Sequence, residues 1–396
     1  MRVTLQLIRA DDGTRIWSDD YDRQLTDIFA IQEDIARAVA SSLSVPLGLQ
    51  QGQRFVSSRT VDPETHDMYL RVRALYRGTQ YREAEPLLDQ LLARDSSYAP
   101  AWALRSYFYT FRTFFAPAMR NGSVEEARRA VAEWSDEQEM AARRAIEMDP
   151  NLPDGYVSLA VLEANRARPL AADELFLKAL ALDRDDPATL DLFANHLLGV
   201  GRLKEALAAV ERVRLLEPFA PSFNADDPTH FWLNGQTSEA IAALNALPAP
   251  AAVARPRNLA QIYASEGRYG EAADELSGTA GGRYLPGQVE EAVRVLRMAP
   301  TAVDLPQSLP RLGDLSFVYW HVGVPDPFLD YLQERAEGGY TASVQTAALW
   351  HPTYAPVRKT ERFKAYARAA GLVEYWRAKG WPDFCRPVGA NDFVCE

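Results

Sequence analysis

The most constraining feature of this 396-residue chain is a repeat whose period is about 34 residues. Three peptides that end a helix in nearly the same way, around Asp149, Asp183 and Glu217, are equally spaced by this interval. Such a period is typical of arrays of paired antiparallel helices, in which each unit packs only against its neighbours. The sequence therefore predicts a mostly α-helical solenoid.

Small residues recur in phase with these helix ends. Each unit needs a small side chain where its two helices cross, since a larger one would hold the backbones apart. Glycine is favoured in the turn between the helices, because it accepts left-handed backbone geometry. The alanines at the predicted crossings are Ala84, Ala172, Ala206, Ala240 and Ala272, and the predicted turn glycines are Gly201, Gly235 and Gly267.

These units resemble the tetratricopeptide repeat (TPR), a helical hairpin that stacks into a solenoid. An array is predicted over residues 61 to 280, preceded by a partial small α/β domain. About twenty extra residues near 111–131 break the phase, and they include Phe114 and Phe115. This insert either forms a binding loop or covers a neighbouring helix. After the array, residues 281 to 396 are predicted to form degenerate helical repeats and a C-terminal cap.

The segment before the array begins with a predicted β-hairpin. Val3, Leu5 and Leu7 alternate with polar residues, as in a strand with one buried face. The dipeptide Asp12-Gly13 then favours a tight turn into a second strand. A helix is predicted next, and its apolar stripe consists of Ile28, Ile31, Ile35, Val39 and Leu43.

Short motifs in this segment come in the same order as in the TolB-like (FlgO-like) N-terminal domain of bacterial proteins. The motifs are RVTLQLI at 2–8, GTRIWS at 13–18, YDR at 21–23 and DIFAIQEDIA at 27–36. Residues 1 to 50 therefore resemble the C-terminal half of that small α/β domain, and the first half is expected upstream of this chain. In bacteria the domain often precedes a TPR array, and longer relatives carry an adenylate cyclase or a winged-helix domain. The resemblance implies a signalling or regulatory protein.

Charge and composition exclude several function classes. A net charge of −11 opposes binding to a phosphate backbone, so we expect no nucleic-acid partner. The sequence has no apolar run long enough to span a bilayer and no recognisable signal peptide. The five histidines stand singly, and neither a phosphate-binding loop nor a nucleophile motif occurs. We therefore expect no metal, no cofactor and no catalytic residues, and predict that the chain is not an enzyme.

The two cysteines have two interpretations. Cys385 and Cys395 lie ten residues apart across a turn-rich stretch. They would form a disulfide in the periplasm and stay free thiols in a reducing cytosol. The chain by itself is expected to be cytoplasmic, but periplasmic if it is a fragment of a membrane-anchored parent.

The first helices of a TPR array line a concave groove that binds peptides or helices of other proteins. We therefore predict a non-catalytic scaffold or sensor module of a bacterial signalling protein, with a protein or peptide partner. One alternative is an oligomerisation element that pairs through the strand at residues 2 to 10, and another is an enzyme with an unrecognised site in the groove. The oligomeric state is left open. The predicted groove residues are Tyr69, Arg73, Tyr76, Arg77, Tyr107, Asn165, Asn195 and Leu198.

Overall fold

A computed structural model gives the fold of most of the chain. The described residues are 2–9, 11–22, 34–35, 38, 62–78, 80–115, 123–218, 220, 227–247, 254–279, 284–301, 308–341 and 346–396.

The middle of the chain is built from helices that pack as consecutive antiparallel pairs. The pairs are α1 (Pro63–Arg77) with α2 (Tyr81–Arg94), α3 (Ala99–Phe115) with α4 (Val124–Met148), α5 (Pro153–Asn165) with α6 (Pro169–Leu182), α7 (Pro187–Gly199) with α8 (Leu203–Leu216), α9 (Asp227–Leu233) with α10 (Thr237–Ala246), and α11 (Arg255–Ser265) with α12 (Tyr269–Ser277). The predicted mostly helical fold is confirmed.

Local sequence signals set where these helices start. The carboxylate of Asp186 accepts the backbone N–H of Thr189 at 2.8 Å, which caps α7. Asp62 does the same for α1 through the N–H of Thr65 at 3.1 Å. A proline follows each of these caps at the first helical position, where its missing N–H is not needed.

The predicted crossings and turns are confirmed. The five alanines at the helix crossings are completely buried, so the paired backbones approach closely there. The three turn glycines have positive φ angles of 88°, 80° and 76°, which a residue with a Cβ atom rarely adopts. Sequence spacing thus correctly locates both the contact and the turn of each hairpin.

One hairpin turn carries alanine where the following repeats carry glycine. Ala167, between α5 and α6, has a φ of 59° and lies one repeat period before Gly201. We expect Ala167→Gly to raise the free energy of unfolding by about 0.5–1 kcal/mol, because glycine removes the left-handed strain. Urea denaturation measures this change. Ala164→Gly, inside α5, is the control and should lower the same quantity by about 1 kcal/mol; destabilisation by both changes would contradict the prediction.

The second repeat is longer than its neighbours. Its helix α4 has 25 residues, whereas α6 and α8 each have 14. A reciprocal capping box between Ser123 and Glu126 starts α4, with N–H to oxygen distances of 2.7 and 3.3 Å. The side chains of Phe114 and Phe115 lie outside the described residues, so both interpretations of the insert stay predictions.

After the array, the chain forms shorter elements. They are α13 (Gln288–Met298), α14 (Phe317–Trp320), α15 (Asp326–Glu337), α16 (Ala355–Arg358), α17 (Glu361–Ala369), α18 (Leu372–Lys379), β3 (Cys385–Val388) and β4 (Asp392–Cys395), with 3₁₀ turns at Gly313–Leu315, Ala348–Trp350 and Pro352–Tyr354. Strands β3 and β4 pair antiparallel, and a disulfide joins Cys385 to Cys395.

The C-terminal tail, which we define as residues 346–396, packs back against the hairpin turns of the array. The indole N–H of Trp350 donates to the carbonyl of Gly199 at 3.3 Å, and that of Trp376 donates to Val200 at 2.8 Å. The hydroxyl of Thr353 donates to the carbonyl of Ser265 at 3.3 Å. The last carbonyl groups of a helix lack hydrogen-bond partners within the helix. The tail therefore supplies hydrogen-bond donors to the carbonyl groups at the C-terminal ends of α7 and α11.

The N-terminal segment forms the predicted hairpin. Strand β1 (Arg2–Ile8) pairs antiparallel with β2 (Arg15–Asp22), with a register irregularity between Leu7 and Ile8. Of the helix predicted after it, Asp34, Ile35 and Ala38 are described and helical, and the remainder lies outside the described residues.

Candidate functional site

The repeat geometry defines which helices can form a binding surface. The second helices α6, α8 and α10 begin at Pro169, Leu203 and Thr237, one repeat period apart. Each carries a fully buried alanine where its partner crosses. The array is of the TPR type. In a TPR solenoid the first helices of the pairs line the concave face, which here means α1, α3, α5 and α7.

Aromatic side chains join the first two of these helices. The ring of Tyr76 on α1 lies 6.2 Å from Tyr107 and 6.1 Å from Phe108 on α3, in edge-to-face geometry. Tyr69, which precedes Tyr76 on α1, packs edge-on against Tyr98 at 5.2 Å. Such pairs contribute about 0.5–1.5 kcal/mol each beyond the area that they bury. These aromatic contacts therefore hold α1 against α3.

Charged residues continue this surface across α5 and α7. Asp154 lies in the first turn of α5, Asp186 caps α7 and Asp191 follows in the next turn of α7, and all three are half-buried. The guanidinium of Arg73 lies 5.6 Å from the centre of the Tyr69 ring and is also half-buried. We call the surface formed by Tyr69, Arg73, Tyr76, Tyr107, Asp154, Asp186 and Asp191 the groove.

The charged groups of the groove shift one another's pKa values. Burial raises the pKa of Asp154 to about 6, and the neighbouring charge of Asp186 adds to the rise. Burial opposes the charged form of Arg73, but Tyr69 and the carboxylates of Asp154 and Asp186 outweigh it, so its pKa lies above the usual value. Residues from three repeats therefore share one electrostatic environment.

The Tyr107 hydroxyl is a buried polar group in the groove. The residue is only 9% exposed, and its hydroxyl has no hydrogen-bond partner among the described residues. Burial raises the pKa of Tyr107 well above its usual value, and Tyr76 and Asp154 raise it further. A buried hydroxyl without a partner costs about 1–3 kcal/mol, so a ligand group that bonded to it would gain that energy back.

The structure brings only some of the predicted groove residues together. Arg77 forms an ion pair with Glu217 at 3.4 Å, which links α1 to the end of α8. Asn165 is half-buried, and its carbonyl accepts the N–H of Thr341 at 2.8 Å. Asn195 is half-buried, whereas Leu198 is completely buried in the core and offers no surface to a partner. Whether any of these residues binds a partner stays a prediction.

The sequence reasoning missed the acidic side of the groove. Asp186 is a helix cap, because its carboxylate accepts the N–H of Thr189. Its position at the start of a first helix also places it near Arg73 of the first repeat. The available signal was the register, because Asp154 and Asp191 also lie near the starts of successive first helices.

A second polar cluster lies at the contact between the array and the tail. We call Asp173, His196, Arg202, Tyr375 and Lys379 the clasp. Asp173 is 1% exposed; it accepts the Tyr375 hydroxyl at 3.0 Å and pairs with the Lys379 ammonium at 2.9 Å. Arg202 donates to the same hydroxyl at 3.2 Å. These bonds fasten α18 to α6 and α8.

The clasp keeps its acid ionised. Burial opposes the charge of Asp173, but His196, Lys379 and Tyr375 outweigh it and lower its pKa to about 2. Burial lowers the pKa of His196, although Asp173 lies 3.7 Å from its ring nitrogen. A paired carboxylate and a neutral imidazole suit a structural role, because the carboxylate's lone pairs are already used.

Charged side chains also line a depression of about 550 Å³ between α4, α5 and α6. Arg166 pairs there with Glu139 at 2.6 Å, and Arg143 pairs with the same carboxylate at 2.7 Å. These charges neutralise one another. Within the described ranges, no three His, Cys, Asp or Glu residues are arranged to hold a metal ion. In those same ranges, no helix is long and apolar enough to cross a membrane.

Two curated proteins share sequence with part of the chain, while no protein-family model matches it. The chain is 29% identical over 164 residues to putative adenylate cyclase 3 of Rhizobium meliloti (strain 1021), a match that covers 41% of this chain and 26% of that protein. It is 29% identical over 168 residues to cellulose synthase operon protein C of Xanthomonas axonopodis pv. citri (strain 306), covering 42% and 10%. The chain thus spans about a quarter and a tenth of these relatives.

Several solved structures resemble parts of this fold at low sequence identity. The type IV pilus biogenesis factor PilW has 17% identity and a TM-score of 0.36, covering 55% of this chain and 92% of its own. A TPR protein from Parabacteroides merdae has 11% identity and a TM-score of 0.38, covering 69% and 96%. The APC/C complex Cut9–Hcn1 has 12% identity and a TM-score of 0.41, covering 86% and 52%. These superpositions are partial.

Proposed function

We propose that this chain is a non-catalytic scaffold or sensor module that binds a protein partner in the groove. The carrying observation is that half-buried charged side chains of α1, α5 and α7 interact beside the aromatic residues that join α1 to α3. Tyrosine and arginine are over-represented among residues that dominate binding energy, because they combine large contact area with hydrogen bonding. A surface of this kind suits an extended peptide or a helix that crosses several repeats.

The proposed context is a bacterial signalling or regulatory protein. The sequence similarity to a putative adenylate cyclase supports this context, as do the N-terminal motifs that resemble the TolB-like domain. The resemblance to TolB-like proteins covers residues 1 to 50, and the groove lies in the repeats that follow. In this proposal the array recognises a partner, and the domains joined to it convert that recognition into a response.

Site-specific photocrosslinking in the native host tests the proposal. A photoreactive amino acid at Arg73, in the groove, is expected to form an adduct with one partner protein. The control is Arg71 on the same helix, an exposed residue that pairs with Asp67 at 2.8 Å. Adducts at neither position, or the same adducts at both, would contradict binding in the groove.

The captured partner then allows a measurement of affinity. Arg73→Ala is expected to weaken binding at least tenfold, or about 1.4 kcal/mol, because it removes a half-buried cation from the interface. Arg71→Ala should leave the dissociation constant within twofold. Equal affinities of the two variants, measured by isothermal titration calorimetry, would place the partner elsewhere on the array.

A further inference from the structure

Arg257 is a buried arginine that forms no ion pair with a carboxylate of the described residues. It lies in the first turn of α11 and is 8% exposed. Its Nη1 group donates to the side-chain oxygen of Asn258 at 3.2 Å, and its Nη2 group donates to the backbone carbonyl of Asp314 at 3.4 Å. Its Nε atom has no hydrogen-bond partner in the described part of the chain. The guanidinium therefore keeps unused donors.

The charge of this guanidinium also lacks an opposite charge in contact with it. Arginine stays protonated in proteins, so burial cannot neutralise the group. Buried charges are normally paired, because an unpaired charge loses its hydration without compensation. Arg105, which is also 8% exposed, pairs with Glu85 at 3.8 Å and with Asp89. Arg257 has only neutral oxygens and the ring of Phe317, whose centre lies 5.4 Å away.

The guanidinium lines a small cavity between α9 and α11. The cavity has a volume of about 10 Å³, and Thr229 of α9 and Gln261 of α11 line it together with Arg257. This is room for about one water-sized group. Thr229 and Asn258 are half-buried, so the cavity can be reached from the surface. A small ion fits this volume, whereas a phosphate group does not.

The start of α11 adds to the positive potential at this cavity. The first turn of α11 contains no acidic residue, and Ala254 supplies no side-chain cap. The partial positive charge of a helix N-terminus therefore adds to that of the guanidinium. Asp227, at the start of α9, lies 3.7 Å from Arg214, and Asp314 reaches Arg257 through its backbone carbonyl. The combination favours a negatively charged ligand.

We propose that this cavity binds one small monovalent anion, namely chloride, held by the Arg257 guanidinium. A halide accepts hydrogen bonds from any direction, so it suits a cavity whose possible donors are a guanidinium, a hydroxyl and an amide on two helices. The bound ion supplies the missing negative charge and joins α9 to α11. This inference is separate from partner binding in the groove, whose residues lie on α1, α3, α5 and α7.

Thermal unfolding of the full chain at constant ionic strength tests this site. Replacing gluconate, which is too large for the cavity, by chloride is expected to raise the melting temperature by at least about 2 °C, because the ion binds only the folded chain. Arg257→Gln should remove this rise. The control is Arg297→Gln, which removes the same charge from an exposed residue that pairs with Asp274 at 3.3 Å, and it should keep the rise.

Anomalous scattering from bromide locates the ion without any substitution. Bromide has the charge of chloride and a similar size, so crystals of the unaltered chain grown with bromide are expected to show an anomalous peak within hydrogen-bond distance of the Arg257 Nε atom. This measurement decides the question even where Arg257→Gln does not fold.

Three results would overturn the inference: a melting temperature that does not respond to chloride, a rise that Arg257→Gln keeps, or bromide peaks only at other positions. Formate that stabilises the unaltered chain more than chloride does would assign the site to a carboxylate and overturn the choice of a halide. Crosslinking at Arg73 is measured independently, so the proposed function can fail while the anion site is confirmed, and the reverse.

Discussion

Gly371→Ala is expected to lower the free energy of unfolding by about 2–4 kcal/mol. Gly371 has a φ of 69° between α17 and α18, and a Cβ atom there would lie 2.5 Å from the carbonyl oxygen of Ala167. It would also lie 2.9 Å from the Cδ of Pro169. Neither neighbour is the end of a flexible side chain, so the tail must move away from the array.

Gly267→Ala is the matched control for this experiment. Gly267 has a similar φ of 76°, but a Cβ atom there would meet nothing within 4 Å. Gly267→Ala is therefore expected to lower the free energy of unfolding by only about 1 kcal/mol, which is the conformational penalty of the positive φ angle. The difference between the two urea midpoints isolates the steric contact between tail and array. Equal destabilisation would show that the tail does not press against Ala167 as the structure has it.

Asp173→Asn is expected to lower the free energy of unfolding by about 3 kcal/mol, because it leaves the Lys379 ammonium and the Tyr375 hydroxyl without their ionised acceptor. Both groups lie within 3.0 Å of this carboxylate in the clasp. The control is Asp274→Asn, which breaks an exposed pair with Arg297 at 3.3 Å. Surface pairs contribute about 0–1 kcal/mol, so the control should change little.

The dependence of stability on pH provides a second test of Asp173→Asn. Asp173 has a pKa of about 2 in the folded chain against 3.8 in the unfolded chain, so its contribution is complete above pH 3.8 and lost as the pH falls towards 2. This contribution amounts to about 2 kcal/mol. The unaltered chain should therefore lose more stability between pH 4 and 2 than Asp173→Asn does. Parallel curves of stability against pH would contradict the pairing seen in the clasp.

Local periodicity explains why the hairpins were predictable. Helix crossings and turns depend on residues close together in sequence, such as Ala206 with Gly201, and a fixed period repeats the requirement in every unit. The aromatic side of the groove follows from the same register, since Tyr69 and Tyr76 lie on one first helix. The register places Asp186 at the start of a first helix, but it does not show that the charge of Asp186 reaches Arg73, which lies in another repeat.

The path of the tail could not be predicted for a different reason. Tyr375 meets Asp173 across 202 residues, and Trp376 meets Val200 across 176. Neither contact has a periodic signature, because each occurs once. The sequence therefore predicts helices in the C-terminal cap but not where they pack. The structure shows that they lie along the hairpin turns of the array.

The tail has a consequence for how the molecule unfolds. In an open solenoid each repeat contacts only its neighbours, so the ends fray and the melting transition broadens. Here Trp350 and Trp376 bond to the end of α7, while Thr353 bonds to the end of α11. One segment thus bridges repeats that are not adjacent, and fraying of either repeat must disrupt the other. We therefore expect the repeats between α7 and α12 to unfold together rather than one after another.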